Sequence, residues 1–211
     1  MQLLWRCFGQ QPRLKSLESL PFSPGVENGP QPGDRRDSYE RVVAHEPAGD
    51  PLPDGPYRRL VEAVQSYQVF PPALLSGVLP RIPLQIGDTY GICYRFLPGL
   101  ELFFGGRVTD VFDGPADGVW RAGFTFRTLR GHPELGEETF FVEKDPATGA
   151  VRAGLRSWSR PGLWLTRRLS WIARLMQVRA SWAALDHMER TAKQAAPSDA
   201  HAYRDGRILL R

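Results

Sequence analysis

The spacing of hydrophobic positions along this chain changes period twice. Within YRRLVEAVQSYQVF the apolar residues Leu60, Val61, Val64 and Tyr67 recur at helical spacing, and Pro71 with Pro72 ends that helix. Residues 73–78 read as one further short helical turn. The pattern then shortens to strands rich in Phe, Tyr, Val and Thr: Asp88 to Phe96, Glu101 to Phe112, Val119 to Leu129, Glu138 to Glu143 and Val151 to Ser159. Turn residues separate them, among them Pro98-Gly99 and Asp113-Gly114-Pro115, so the five strands are expected to form an antiparallel meander. Gly105-Gly106, inside the longest strand, predicts a bulge or sharp bend. Tyr39 to Ala44 is a further strand ahead of the first helix.

From Leu163 to Arg190 the helical period returns after Pro161-Gly162. Two apolar stripes lie side by side there, one through Leu165, Leu169, Ile172, Met176 and Ala183, the other through Trp164, Trp171, Leu175, Val178, Trp182 and Leu185. Together they exceed the ~100° apolar face of an ordinary surface helix, so this helix is expected to be deeply embraced. The order strand, helix, short helix, meander, long helix points to an α+β helix-grip fold, a curved antiparallel sheet closed around the C-terminal helix, with a cavity between them. The plainer alternative is a helix packed on one face of a sheet.

Composition sets the limits of the domain. Residues 1–37 include PFSPGVENGPQPGDRRD, too poor in apolar side chains to offset ordering entropy, and read as a flexible leader. Residues 38–190 form the single domain and 191–211 a loose tail. The net charge is +4, from 27 basic and 23 acidic residues, and only Lys15, Lys144 and Lys193 of the basic set are lysine. So even an arginine bias marks no nucleic-acid footprint, which would need clustering on one face. Cys7 and Cys93 make neither a disulfide framework nor a CxxC metal site. With no secretory signal, lipidation site or spanning segment, a cytoplasmic protein is expected.

The most distinctive stretch is GFTFRTLRGHPELGEETFFVEKD. Gly123, Phe124, Thr128, Leu129, Gly131, His132, Pro133, Glu134, Gly136, Glu137, Glu138, Phe140, Val142 and Glu143, with Trp158-Ser159-Arg160-Pro161 downstream and Pro83, Gly87 and Asp88 upstream, carry a resemblance. The segment resembles the core signature of an uncharacterised bacterial and plant family, the domain-of-unknown-function family nineteen-ninety, over roughly residues 39–190. That family is similar to the START-like and birch-pollen-allergen-like ligand-binding superfamily, so the resemblance implies the same grip and a ligand cavity. The chain departs from the signature at Arg127, where the family has Gly, and at Phe126, where it has Tyr; a phenolic hydroxyl is thereby missing.

RGHPELGE reads as a long hairpin connection, with Glu138 opening the next strand. Glu138, Phe140 and Val142 share one strand face. If that face is concave, the Glu138 carboxylate must be paired, hydrogen-bonded or neutralised. Arg160 and Arg127 are the available counter-charges, with His132 a third partner. Three roles stay open: hairpin capping by Glu137 and Glu138 with Arg160 closing the start of the helix; ligand orientation by Glu138, Arg160 and His132; and acid–base or metal chemistry by His132, Glu134 and Glu138. The donors for a metal all sit on one turn, so no metal site and no cofactor are expected. GxGxxG, Walker A, HExxH and GxSxG motifs are absent from the sequence.

Residues 151–190 hold eight arginines against Asp186 and Glu189. They read as a solvated outer face, with Arg167 and Arg174 turned away from the apolar stripes, in preference to a membrane-binding surface. The leading expectation is a non-enzymatic module for a small apolar or amphipathic molecule. Phe124, Phe126, Phe140, Trp171, Leu175 and Met176 would line its cavity, and Glu138, Arg160, His132 and Arg127 would be its polar anchors. The alternatives are an enzyme using a cavity carboxylate and a membrane-surface or partner-binding protein using the basic helix. Nothing in the pattern sets the oligomeric state.

Overall fold

The computed structural model describes residues 1–5, 13–97, 99–162 and 170–194, with side chains undescribed at 5, 96, 161 and 170–173. In chain order the elements are β1 (Gln2–Trp5), α1 (Lys15–Glu18), β2 (Arg35–His45), α2 (Pro56–Gln65), β3 (Leu75–Val78), β4 (Thr89–Leu97), β5 (Leu100–Ala116), β6 (Val119–Thr128), β7 (Glu134–Lys144), β8 (Ala150–Pro161) and α3 (Ser170–Lys193). The strands make one antiparallel sheet in the order β2-β8-β7-β6-β5-β4-β3, and β1 pairs with the first residues of β5. The sheet curves around the C-terminal helix, which is the helix-grip arrangement that the order of elements predicts.

Two elements differ from the pattern reading. Residues 75–78 form strand β3, antiparallel to β4, and not a second small helix. Pro71 and Pro72 withhold amide donors where a helix would start, while Leu75 is buried on the sheet. The strand β7 begins at Glu134, four residues earlier than expected, so the β6–β7 connection is only residues 129–133. The Gly136 amide donates to Thr128 Oγ1 at 3.1 Å, and Glu134 to Gly136 pair with β8 in place of forming a loop.

Strand alternation sorts the side chains into two layers. In register, Phe126 faces Glu138, Phe124 faces Phe140 and Ala122 faces Val142, and on β8 Ser157, Leu155 and Ala153 continue these rows. This is the concave layer. Phe124, Phe126 and Phe140 meet Tyr67, Phe70 and Tyr90 in an aromatic cluster with centroids 4.9–6.5 Å apart. The convex layer carries a polar ladder across β6 and β7: Arg121 to Glu143 at 2.8 Å, Thr125 to Thr139 at 2.8 Å and Arg127 to Glu137 at 2.7 Å.

The glycine pair in β5 has a different use from the one expected. The register shift falls further along, between Val108 and Asp110, whereas Gly105 and Gly106 remain paired with β4. A Cβ on Gly106 would stand 2.4 Å from the Phe126 ring, and one on Gly105 would stand 2.7 Å from Leu17. The pair is thus a place of close approach on both faces. Leu17, from α1, packs there with Leu4, Cys93, Phe103 and Leu129 on the convex side. The scarce apolar residues of the first 37 are placed for this: Leu17 and Val26 are buried, and Phe22 bridges to Leu129. Arg107 donates to the Glu18 and Leu20 carbonyls and Arg160 to that of Gly25, holding the segment along the sheet.

The helix α2 fills one end of the concave side, with Tyr57, Leu60, Val61 and Val64 buried against β6, β7, β8 and α3. Its N-terminus is capped from a distance. Glu46 accepts the amides of Tyr57 (2.7 Å) and Leu52 (3.1 Å), and Lys144 Nζ pairs with Glu46 at 3.0 Å and donates to the Asp50 carbonyl at 2.8 Å. Both side chains of the pair are wholly buried. Burial alone would raise the Glu46 carboxyl, but the Tyr57 amide, Lys144 and the Leu52 amide outweigh it and hold it below the ordinary value.

The helix α3 lies along β2 and β8. Its buried face is one of small residues, Ser181, Ala184 and Ala192 with Leu185 and Met188, which lets the helix approach the sheet closely. Leu175 and Trp182, expected on the embraced face, are 53% and 47% exposed. Trp182 instead lies edge-on to Tyr39 under the Arg41 guanidinium. The expected stripe positions Trp164, Leu165 and Leu169, and Arg167, lie outside the described residues, as do the side chains of Trp171 and Ile172. Arg174, expected to point into solvent, holds both oxygens of Asp37 on β2 at 2.5 and 2.7 Å.

Two outcomes check this packing. Lys144→Met leaves Glu46 buried and unpaired and should cost about 3–5 kcal/mol in urea unfolding, far more than truncation of the exposed Lys193. Gly106→Ala should cost about 1–3 kcal/mol, because its methyl meets the Phe126 ring; a change below a few tenths would mean that the ring yields freely.

Candidate functional site

The concave face is filled at the α2 end only. At the other end, between β4, β5 and the N-terminal half of α3, a cavity of about 640 Å³ remains. Its walls are Ile92, Tyr94, Leu102 and Phe104 from the outer strands, Phe126 from β6, and Met176, Gln177, Ala180 and Ser181 from α3. Tyr67 and Phe70 form its floor where α2 ends, and Leu75 of β3 and Leu3 of β1 reach its rim. The β6–β7 connection and the first turn of β7 supply the polar lining, with Thr128, His132, Glu134 and Glu138, and β8 adds Ser157 and Ser159.

Glu138 is where the alternation of β7 carries an acid into this apolar space, between Phe126 on β6 and Ser157 on β8. Removal from water, with a smaller push from Asp37, raises its carboxyl to about 7. Burial likewise pushes the phenols of Tyr67 and Tyr90 well up, and the Glu138 charge adds to both shifts. His132 stands edge-on to Phe104, with its centroid 4.6 Å away, and burial depresses its ring to about 3. Its Nδ1 is 2.7 Å from the Glu134 carbonyl and 3.1 Å from the Glu134 amide, so the neutral ring is locked by backbone and not by a carboxylate.

A second polar group borders the cavity beside β2. Burial raises the Glu134 carboxyl, opposed chiefly by the charge of Arg35 and by Ser159. Ser159 lies close enough to favour the carboxylate, yet Glu134 Oε2, Ser159 Oγ and Arg35 Nη1 are all buried without a formed hydrogen bond.

Of the expected lining residues, the structure brings Glu138, His132, Phe126 and Met176 to the cavity. Phe124 and Phe140 belong to the solid aromatic core next to it, Leu175 is on the exposed side of α3, and the Trp171 side chain lies outside the described residues. The two expected counter-charges are on the wrong face. Strand alternation that turns Glu138 inward turns Arg127 outward to Glu137 and Arg160 outward to Asp34, at 2.9 Å, with its guanidinium over Trp158. Tyr67 and Tyr90 were not singled out from the sequence, since Tyr67 reads as one more apolar position of a helix.

The buried acid and base set opposite pH dependences. Glu138, raised, contributes stability that is fully present below its ordinary value of 4.5 and is lost as pH rises through about 7. His132, depressed, contributes stability present above 6.5 and lost as pH falls toward 3. Urea titrations should therefore find Glu138→Gln gaining on the wild type as pH rises from about 5 to about 8, and His132→Asn losing less than wild type below about pH 6. Parallel profiles for Glu138→Gln and wild type would place that carboxyl in water.

Among the described residues no helix is long and apolar enough to cross a membrane. Comparison with known proteins gives a relative from Dictyostelium discoideum, termed UPF0548 protein, that is 29% identical over 118 residues. The match takes in 53% of this chain and 54% of that protein, so the chain spans about half the length of the curated relative it matches. Among solved structures, a hypothetical protein of Helicobacter pylori, jhp0584, is similar with a TM-score of 0.48 and 14% identity over 77% of this chain and 91% of its own. Ara h 8.0201 is similar with a TM-score of 0.44 and 11% identity over 76% and 98%. The di-domain ARO/CYC StfQ of the steffimycin biosynthetic pathway has a TM-score of 0.44 and 12% identity over 75% and 50%. The sequence profile of one family matches residues 25–187, more than half of the chain, and this protein thus belongs to the family described as Domain of unknown function (DUF1990).

Proposed function

We propose that this protein is a cytoplasmic binding module that holds a small apolar or amphipathic molecule between its sheet and its C-terminal helix. The observation that carries this reading is the half-filled concave face. A space of about 640 Å³ is lined by aromatic and aliphatic side chains with a few polar groups at one wall, within the range of ~300–1,000 Å³ typical of small-molecule sites. Apolar walls supply affinity by burial, at about 25 cal/mol per Å² of apolar surface, and the polar groups set orientation. Glu138, Tyr67, His132 and Ser157 are the candidate orienting groups; Phe126, Phe104 and Met176 are candidate walls.

One observation favours a second reading. A carboxyl at about 7 in a cavity also suits general acid–base chemistry. An enzyme would lose turnover in Glu138→Gln while still binding its substrate; a binding module has no turnover to lose.

The neutral fluorophore N-phenyl-1-naphthylamine tests the cavity itself. Its emission should rise and shift to the blue on titration with the protein. Ala180→Phe, which projects a ring into the space from α3, should weaken that response by about tenfold or more, about 1.4 kcal/mol. Equal responses from the two proteins, with near-UV circular dichroism unchanged, would put the dye elsewhere and remove the reading.

A further inference from the structure

We propose that the occupant of this cavity is an organic cation, an apolar body bearing a protonated amine held beside Glu138. The inference rests on the binding-module reading above and names its ligand class. Its starting point is a mismatch of charge. The chain is basic, with 27 Lys and Arg against 23 Asp and Glu, yet the described cavity lining holds three glutamates and no lysine or arginine. Its one cationic group is the Met1 amine, which acts on His132 and is not among the groups that shift Glu138. Glu137 pairs with Arg127 at 2.7 Å on the convex side, and Glu134, though its Oε2 forms no hydrogen bond, lies in the field of Arg35 and Arg174. Glu138 has no such partner among the described residues.

The groups that face Glu138 come from every neighbouring element, and none is a cation. Phe126 of β6 and Ser157 of β8 flank it in register. Tyr67 beyond α2 and Tyr90 of β4 couple to its charge as neutral phenols. From β2 comes another acid, Asp37, and the α3 residue that could have answered, Arg174, has both of its donor arms on Asp37. A ligand carboxylate would meet like charge in this site, and a wholly apolar ligand would leave the acid desolvated and unpaired. A protonated amine removes that cost.

The walls fit the same ligand. Tyr67, Phe126 and Phe104 line the space as aromatic walls, Phe126 directly opposite Glu138 in register and Phe104 at the far side against His132. Aromatic faces around a single carboxylate attract an organic cation through their quadrupoles while burying its apolar body. His132, held neutral, adds no competing positive charge.

The test uses three probes with one tail, decylamine, decanol and sodium decanoate, titrated calorimetrically into the full chain and into Glu138→Gln at about pH 7.5. Decylamine should bind the wild type at least about tenfold more tightly than decanol does, and Glu138→Gln should abolish that preference. Carbon-13 spectra of the wild type should show the Glu138 carboxyl titrating at lower pH when decylamine is bound, a readout that stands even if the variant fails to fold. Equal binding of decylamine and decanol, or preference for decanoate, overturns the amine inference and leaves the cavity reading intact. Binding of none of the three overturns both.

Discussion

Lys144 and Glu46 meet out of reach of water, and the position of α2 depends on their doing so. The carboxylate takes the Tyr57 amide at the start of that helix and the Leu52 amide of the loop before it, and the ammonium takes the carbonyl of Asp50 in the same loop. An ion pair of this kind contributes little net stability compared with apolar packing, but each partner makes loss of the other severe. Its structural effect is to specify where a ten-residue helix sits. Because Glu46 directly follows β2 and Lys144 ends β7, α2 is anchored at one end of the grip and stops at Gln65, short of the other.

The cavity is the remainder. An aromatic cluster fills the anchored half of the concave face, and the half toward β4 and β5 keeps its apolar lining without a helix to cover it. The helix α3 bounds this space with small residues, Ala180 and Ser181, where larger ones would have filled it. Its docking on β2 is polar: Asp37 to Arg174, and Arg41 to Asp186 and Glu189. One arginine of this helix, Arg174, is thereby committed within the molecule, and two of its acids are held by Arg41 of β2. Interior acidity and exterior basicity arise from one geometric rule, since alternation that sends Glu138 inward on β7 sends Arg127 on β6 and Arg160 on β8 outward.

Much of this was legible in the spacing of residues. The meander, the helix before it, the long helix after it and the inward face of Glu138, Phe140 and Val142 all follow from periods of 2 and 3.6. One further signal was present and unused. Lys144 continues that inward face by one more alternation, and a lone lysine at a buried strand end in an arginine-rich chain marks a group in need of a partner. The counter-charges Arg160 and Arg127 are set aside only by the strand register, which opposes their parity to that of Glu138.

What spacing could not contain was register and distance. Local periodicity tells which side chains share a face; it does not tell which strand ends meet, and so gives no pairing of Glu46 with Lys144 or of Asp37 with Arg174. It also ranks Leu175 and Trp182 as core by hydrophobicity, whereas the closeness of α3 to the sheet buries Ala184 and Ser181 in their place. By itself the amino-acid order determined an α+β chain with a sheet wrapped on a helix and an acid on the inner wall. Only tertiary structure decided that the acid stands unpaired in a half-empty grip, because that outcome depends on contacts between residues about a hundred positions apart, whose closeness no local pattern encodes.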